Sequence, residues 1–528
     1  MGSLEKNTKS TFSVGADMED AAINPDPAYV QALVDVDDKN IDLAAKVLAH
    51  AHDEAPITQE EMDAVRRKID WYMVPMLFVC LQLSGWDKVV IGTAAIYGLE
   101  KDLGLTGYQY SWVGSIMYFD RSVSILVAFL IAIFPTLWLL QRLPTGKYLA
   151  ANIFLWGVVE MCHAACTNPA SILVCRFLLG LFQCCDLPAM IIIATMWWKK
   201  EEQPVRNAMI CAVTSSIGNG LISFAFGHLT HPTLPKWKYI FLAVGGFTVL
   251  YGALMFFILP NGPAEAFFLS EREKVVAIER LRGEKLGIEN KTWKWEQSWE
   301  AVLDWKNWIL WIFFIAVNIP NGGLISFSTI IIDSLGFSSE DSSLMTIPTG
   351  VVSTLSGIFF SWLAGRTTKY RSLVTMASLI MPLIGTILVY VYPRSNTAAQ
   401  LVGIYMLYGY WAPYVCGLAL FQANTAGRSK KTTVNAMDYV AYAVGNIVGP
   451  QTFISDQAPK YTGAVIAMLL CYCVCIVLAG IYGLVCKWEN AQRDKAQDAS
   501  QLEMAEDEHV DDFLDLTDKQ NHSFRYIT

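Results

Sequence analysis

Between Trp71 and Val485 the chain is a succession of about a dozen apolar segments, each long enough to cross a bilayer core as a helix. In hydrocarbon every backbone N–H and C=O must find its partner within the protein, which leaves helices and closed barrels as the only spanning structures. The short alternating strands of a barrel are absent from the sequence. The expectation is therefore an all-α polytopic membrane protein embedded in a lipid bilayer. Composition agrees. Hydrophobic residues make up 54% and charged residues only 16%, against about 25% charged in soluble domains.

The charges crowd into the two tails and one central loop, and this divides the chain. Residues 1–66 form an acidic N-terminal tail, 67–263 six spans, 264–304 a charged loop, 305–487 six more spans and 488–528 a second tail. Thr58-Gln-Glu-Glu61 predicts a capping box opening the helix that enters the membrane. Arg142, Lys147, Lys199, Lys200, Arg206, Arg366, Arg371, Arg428, Lys430 and Lys431 fall on one side, which the positive-inside rule makes cytoplasmic together with both tails. The net charge of −9 sits largely in the tails and does not suggest nucleic-acid binding. The 12 cysteines show no CxxC pairing, so no metal site is expected, and they read as small apolar packing residues. There is no Walker loop, HExxH or GxSxG motif, so neither an enzyme nor a bound cofactor is expected.

Function concentrates where ionisable groups enter apolar runs, because each costs about 2.5–3.5 kcal/mol at membrane depth on insertion scales. Arg176 and Asp186 lie in the run Ala170 to Trp198, with Arg176, Gly180 and Gln183 on one helical face and Asp186 beside it. This face reads as the lining of a transport pathway in which Arg176 receives an anion; the alternative is a structural arginine snorkelling to the headgroups. Asp87-Lys88 sits within the first span, either as part of that site or as a mutually neutralised pair. Asp120-Arg121 interrupts an unusually long second span. Gly218-Asn-Gly220 in the fifth span suits close helix approach. Asn318-Ile-Pro-Asn-Gly-Gly323 predicts a break in the seventh span, with Asn318 and Asn321 as substrate contacts. Tyr408 and Trp411 in the tenth span and Asn435 in the eleventh could shape selectivity, or the aromatics could simply face lipid.

Several short matches share one order and spacing: Arg67-Lys-Ile-Asp70, Asp87-Lys88, Tyr110-Ser-Trp-Val-Gly114, Gln141-Arg-Leu-Pro-Thr-Gly-Lys147, Arg176-x3-Gly180, Gly445-Asn-Ile-Val-Gly-Pro-Gln451, Phe513-Leu-Asp-Leu-Thr-Asp518 and Phe524-Arg-Tyr526. On these the chain resembles fungal members of the major facilitator superfamily, in the anion:cation symporter group near the allantoate permeases. The resemblance implies two six-helix bundles, alternating access, a monomer in the plasma membrane, and proton-coupled uptake of a small organic anion such as allantoate, ureidosuccinate or a vitamin acid. It implies that Arg176 contacts the substrate carboxylate, with Lys88 nearby, and that Asp87 carries the proton. Arg142, Lys147, Asn446 and Pro450 fall in motifs that gate or shape the bundle. Seven residues after the arginine, relatives carry glutamate; here it is Gln183, which cannot titrate. Asp186, one turn on, is the expected substitute. Export of a metabolite by the same fold, or a nutrient receptor that binds without carrying, remain the alternatives.

Overall fold

The computed structural model describes residues 57–115, 142–199, 214–285, 294–500, 517–521 and 524–528, with a few single positions between them. Asp120-Arg121 and most of the long second span lie outside the described residues, as do residues 1–56 and 501–516 of the two tails.

Helix α1 spans Gln59–Ile96. Its start is the expected capping box: Glu61 N–H donates to Thr58 Oγ1 at 3.3 Å, and Thr58 N–H donates to the Glu61 carboxylate at 3.1 Å. Helices α2 (Gly107–Ser115), α3 (Thr145–Cys162), α4 (Pro169–Gln183), α5 (Asp186–Trp197), α6 (Ser215–Gly227) and α7 (Lys236–Ile258) follow. Two helices, α8 (Glu271–Lys285) and α9 (Trp295–Leu303), lie in the central loop. Then come α10 (Trp305–Asp333), α11 (Ser339–Met345), α12 (Ile347–Arg366), α13 (Arg371–Val391), α14 (Thr397–Leu407), α15 (Trp411–Asn424), α16 (Arg428–Gln451) and α17 (Thr462–Ser500). Among the described residues, nine helical segments are long and apolar enough to cross a membrane.

Two expectations about helix continuity are corrected. The seventh span is not broken: α10 runs unbroken through Pro320. Asn318 caps its own turn by donating to the Phe314 carbonyl at 2.8 Å, and Gly322 and Gly323 serve close packing instead. A Cβ on Gly322 would fall 2.5 Å from the Asn446 backbone, and one on Gly323 2.4 Å from the Phe453 ring. The fourth span, read as one helix, divides at Cys184–Cys185 into α4 and α5. Pro188 explains the site: it has no N–H for the Cys184 carbonyl, and its ring clashes with that turn. Pro413 acts in the same way on the tenth span, where a 3₁₀ turn at Tyr408–Tyr410 separates α14 from α15.

The broadest helix contacts pair α3 with α7 and α10 with α16. Both seams are glycine-lined. A Cβ on Gly252 would meet the Phe154 backbone at 2.5 Å, and one on Gly449 the Ile319 carbonyl at 2.3 Å. Such close approach lets dispersion hold helices together where lipid offers no hydrophobic drive.

The first-half helices α1, α2 and α6 meet α10, α16 and α11–α12 respectively. At one face of the protein this contact is polar and crosses between the halves. Lys236 Nζ pairs with Glu340 at 3.2 Å, and Tyr97 Oη lies at hydrogen-bond distance from Ser223 O, Ser339 O and Ser343 Oγ. At the opposite face, which carries the central loop and the C-terminal segment, the described ion pairs stay on one side or the other. Asp70 holds Arg206 at 2.7 Å and Trp198 Nε1 at 2.7 Å, while Lys68 holds Glu273 of α8 at 2.6 Å.

On the second-half side of that face, residues 517–521 and 524–528 are clamped down. Lys430 Nζ, fully buried, lies 2.7 Å from Asp518, 2.9 Å from Glu300 and 3.3 Å from Asp304. Asn424 bonds the Ile527 backbone in both directions, at 2.8 and 2.7 Å, and Asn490 does the same for Tyr526, at 2.7 and 2.9 Å. The Lys306 ammonium sits 3.7 Å from the centre of the Tyr526 ring.

Candidate functional site

Arg176 occupies the face of α4 that packs on α1, and it is 2% exposed. Its Nη1 donates to the backbone carbonyl of Asp87 at 2.9 Å, not to the carboxylate. Nε and Nη2 have no hydrogen-bond partner, and neither do the two carboxylate oxygens of Asp87. Two turns along, Gln183 donates to the Ser84 carbonyl at 3.1 Å and to its hydroxyl at 2.8 Å. The two contacts run in opposite directions along the helices, so α1 and α4 are antiparallel and locked in register. Gln183 thus fastens α4 to α1 through its amide. Asp186 is buried at the start of α5, within hydrogen-bonding reach of Ser84.

A narrow cavity lies between the halves. Lys88, Ile91, Val113, Gly114 and Arg176 line it from the first half, and Gly322, Ile325, Ser326 and Asn446 from the second. Lys88 is half-buried, one position beyond Asp87, so the two side chains diverge by about 100° around the helix. Asn446 donates to Tyr442 O at 2.8 Å, and its amide oxygen is unpartnered. Tyr110 ties the halves together beside the cavity, donating to the carbonyls of Ser326 at 2.9 Å and Ile91 at 3.3 Å. Gly114 leaves room there for Ser326: a Cβ would stand 2.6 Å from Ser326 Oγ. Pro450 packs beyond it, 3.9 Å from the same point.

The remaining expected residues lie elsewhere. Asn318 and Asn321 are buried in α10 and satisfy each other, with Asn321 donating to Asn318 at 3.1 Å. Tyr408 shares a 2.7 Å hydrogen bond with Ser328 and donates to Leu324 O, so its hydroxyl is engaged within the second half. Trp411 is half-buried and stacks near Tyr414, with ring centres 5.2 Å apart. Asn435 is half-buried on α16, about 16 Å along the helix from Asn446. Gly218 faces the Trp86 ring, and Gly220 lets α6 approach Ser343 of the other half. Arg142 and Lys147 are exposed, and the Lys147 N–H donates to Asn261 at 3.2 Å.

The sequence reading missed two acids. Glu160, on α3, is fully buried with neither oxygen hydrogen-bonded; Asp438, on α16, is buried with one oxygen unpartnered. Glu160 could have been found, since a lone acid in an apolar span marks a functional candidate by default.

A model of the Major Facilitator Superfamily matches residues 77–450. The chain belongs to the Major Facilitator Superfamily. It is 42% identical over 505 residues to an MFS-type transporter, cnsL, of Penicillium expansum, covering 95% of this chain and 96% of the relative. It is 35% identical over 540 residues to the allantoate permease of Saccharomyces cerevisiae, covering 99% and 97%. Among solved structures, a bacterial homologue of the human lysosomal transporter Spinster, inward-facing and unoccupied, aligns with a TM-score of 0.59 at 15% identity, covering 81% of this chain and 97% of that one. The xylose transporter XylE of E. coli, partially occluded and inward open, aligns with a TM-score of 0.54 at 10% identity, covering 78% and 96%. The protein is a multi-pass membrane transporter of fungal type, with the superfamily's two six-helix bundles.

Proposed function

We propose that this transporter takes up a small organic anion together with a proton by alternating access. The observation that carries the reading is Arg176: a buried guanidinium beside the cavity between the halves, with Nε and Nη2 unengaged. Those two donors form a planar fork that matches a carboxylate. Lys88 adds a second positive charge to the same cavity. Asp87, whose carboxylate is buried and unpartnered, is the proton carrier, and Asp186 has a lesser part. A relative 35% identical named an allantoate permease supports a carboxylate as the cargo. We place the protein as a monomer in the plasma membrane with both tails cytoplasmic, since the basic residues cluster on that face. In that orientation the Lys236–Glu340 face is extracellular.

The test is uptake of labelled allantoate and a panel of related carboxylates by vesicles carrying Arg176→Lys, Arg176→Gln or the wild type. Lysine keeps the charge and loses the fork, so affinity should fall at least about tenfold, the cost of about 1.4 kcal/mol from a charge-assisted hydrogen bond. Wild-type affinity in a normally expressed Arg176→Gln protein would reject the assignment.

A further inference from the structure

We propose that Glu160 is a second proton-binding site of this transporter, taking up a proton when a bound anion draws the Arg176 guanidinium away from the protein's own carboxylates. This rests on the uptake reading above.

Glu160 projects from α3 into the same buried cluster as Arg176. Its Oε2 lies 3.6 Å from His163 Nδ1, but that nitrogen is already 3.0 Å from the Val159 carbonyl. A histidine donating Nδ1–H to a carbonyl needs no charge to do so, and His163 is as enclosed as Glu160, with both side chains 0% exposed. The His163 ring stacks on Phe241 of α7, with centroids 5.0 Å apart. The Arg176 guanidinium lies 5.5 Å from the centre of that same ring. Phe241 thus stands between the guanidinium and the His163 ring that Glu160 approaches. From α7 the cluster receives Phe241. The further charged groups around the cluster are Lys88, half-buried at the cavity wall on α1, and Asp186 at the start of α5.

Charge counting then gives the coupling. The guanidinium is permanently protonated. Asp87, whose backbone carbonyl it holds, and Glu160, linked to it through Phe241 and His163, each have both carboxylate oxygens unpartnered. With both ionised the cluster carries a buried net charge of −1, and an uncompensated buried charge costs several kcal/mol. The resting cluster is therefore neutral, with one acid ionised and one protonated. A monoanion on the free Nε and Nη2 restores the deficit unless the second acid also takes a proton. One anion thus enters with one proton: an O–H bond forms on the carboxylate, and the proton leaves when the anion does. Glu160 supplies the titratable group that Gln183 cannot.

Infrared difference spectra of the purified full chain in lipid nanodiscs, titrated through the neutral range without substrate, read the site directly. The wild type should show a carboxyl C=O band that disappears as pH rises. Glu160→Gln should remove part of it and Glu160→Asp should keep a shifted counterpart, with both variants eluting as monodisperse wild-type-like protein. An unchanged titration in Glu160→Gln would overturn the proposal. In vesicles with allantoate as the probe, the wild type should accumulate it about tenfold per unit of pH gradient, and the double variant Asp87→Asn, Glu160→Gln, with no acid left beside Arg176, should only equilibrate it. Gradient-driven accumulation surviving in the double variant would also overturn it. Loss of the band in Glu160→Gln, with a wild type whose uptake ignores the gradient, would uphold the proton site and sink proton-coupled uptake instead.

Discussion

Replacing Asp518 with asparagine isolates the clamp that holds the C-terminal segment. The Asp518 side chain is 2% exposed and lies 2.7 Å from Lys430 and 3.9 Å from Lys306. It also accepts the Tyr526 hydroxyl at 2.8 Å. Removing one member of a buried ion pair costs about 3–5 kcal/mol, mainly because its partner is left uncompensated. Lys430 keeps Glu300 and Asp304, so the low end applies, about 3 kcal/mol. At about 2–4 °C per kcal/mol for a unit the size of one half, the melting midpoint should fall by roughly 6–12 °C. Lys519→Ala is the control. That side chain is 42% exposed where it pairs with Asp304, and exposed pairs are worth about 0–1 kcal/mol. The assay is fluorescence-detected thermal unfolding of the detergent-purified chain. If Asp518→Asn melts with the wild type, or no lower than Lys519→Ala, the segment is not clamped by this charge network.

Burial pushes the Asp304 carboxyl up, but Lys306, Lys430 and Lys519 outweigh it and hold the group below the usual carboxylate range. Its folded pKa is lower than the unfolded value of about 3.9, so its stabilisation is present above that pH and lost as pH falls through the folded value. Asp304→Asn should therefore flatten the acid limb of a stability-versus-pH curve, measured by thermal unfolding, and lower stability at neutral pH. Gly252→Val should depress the melting midpoint strongly, because even a Cβ there stands 2.5 Å from the Phe154 backbone; an unperturbed midpoint would show that the α3–α7 seam can open. Asp87→Asn should lower accumulation of the transported anion against a pH gradient, measured in vesicles; accumulation equal to the wild type's would remove Asp87 from the proton path.

The order of the apolar helices among the described residues was legible because burial in lipid is decided segment by segment, from local composition. The Thr58–Glu61 capping box was legible for the same reason: its partners are three residues apart. The depth of Arg176 in an apolar run marked it as a candidate before any neighbour was known. The break at Cys184–Cys185 was also written locally, in Pro188, but the glycines near Asn318 drew attention to the wrong helix. Glycine in a membrane helix signals either a break or a close approach, and only the presence of Asn446 and Phe453 against Gly322 and Gly323 decides between them. What no local pattern could supply is the company Arg176 keeps. Its guanidinium reaches the Asp87 carbonyl 89 residues away, and Phe241, 65 residues away in the other direction, links it to His163. Those neighbours follow from the rotation and register of α1, α3, α4 and α7 against one another, which are set by ridge-and-groove packing between whole helices. The bilayer selects the helices from sequence alone; the charges that must share one low-dielectric pocket are chosen only when the helices pack.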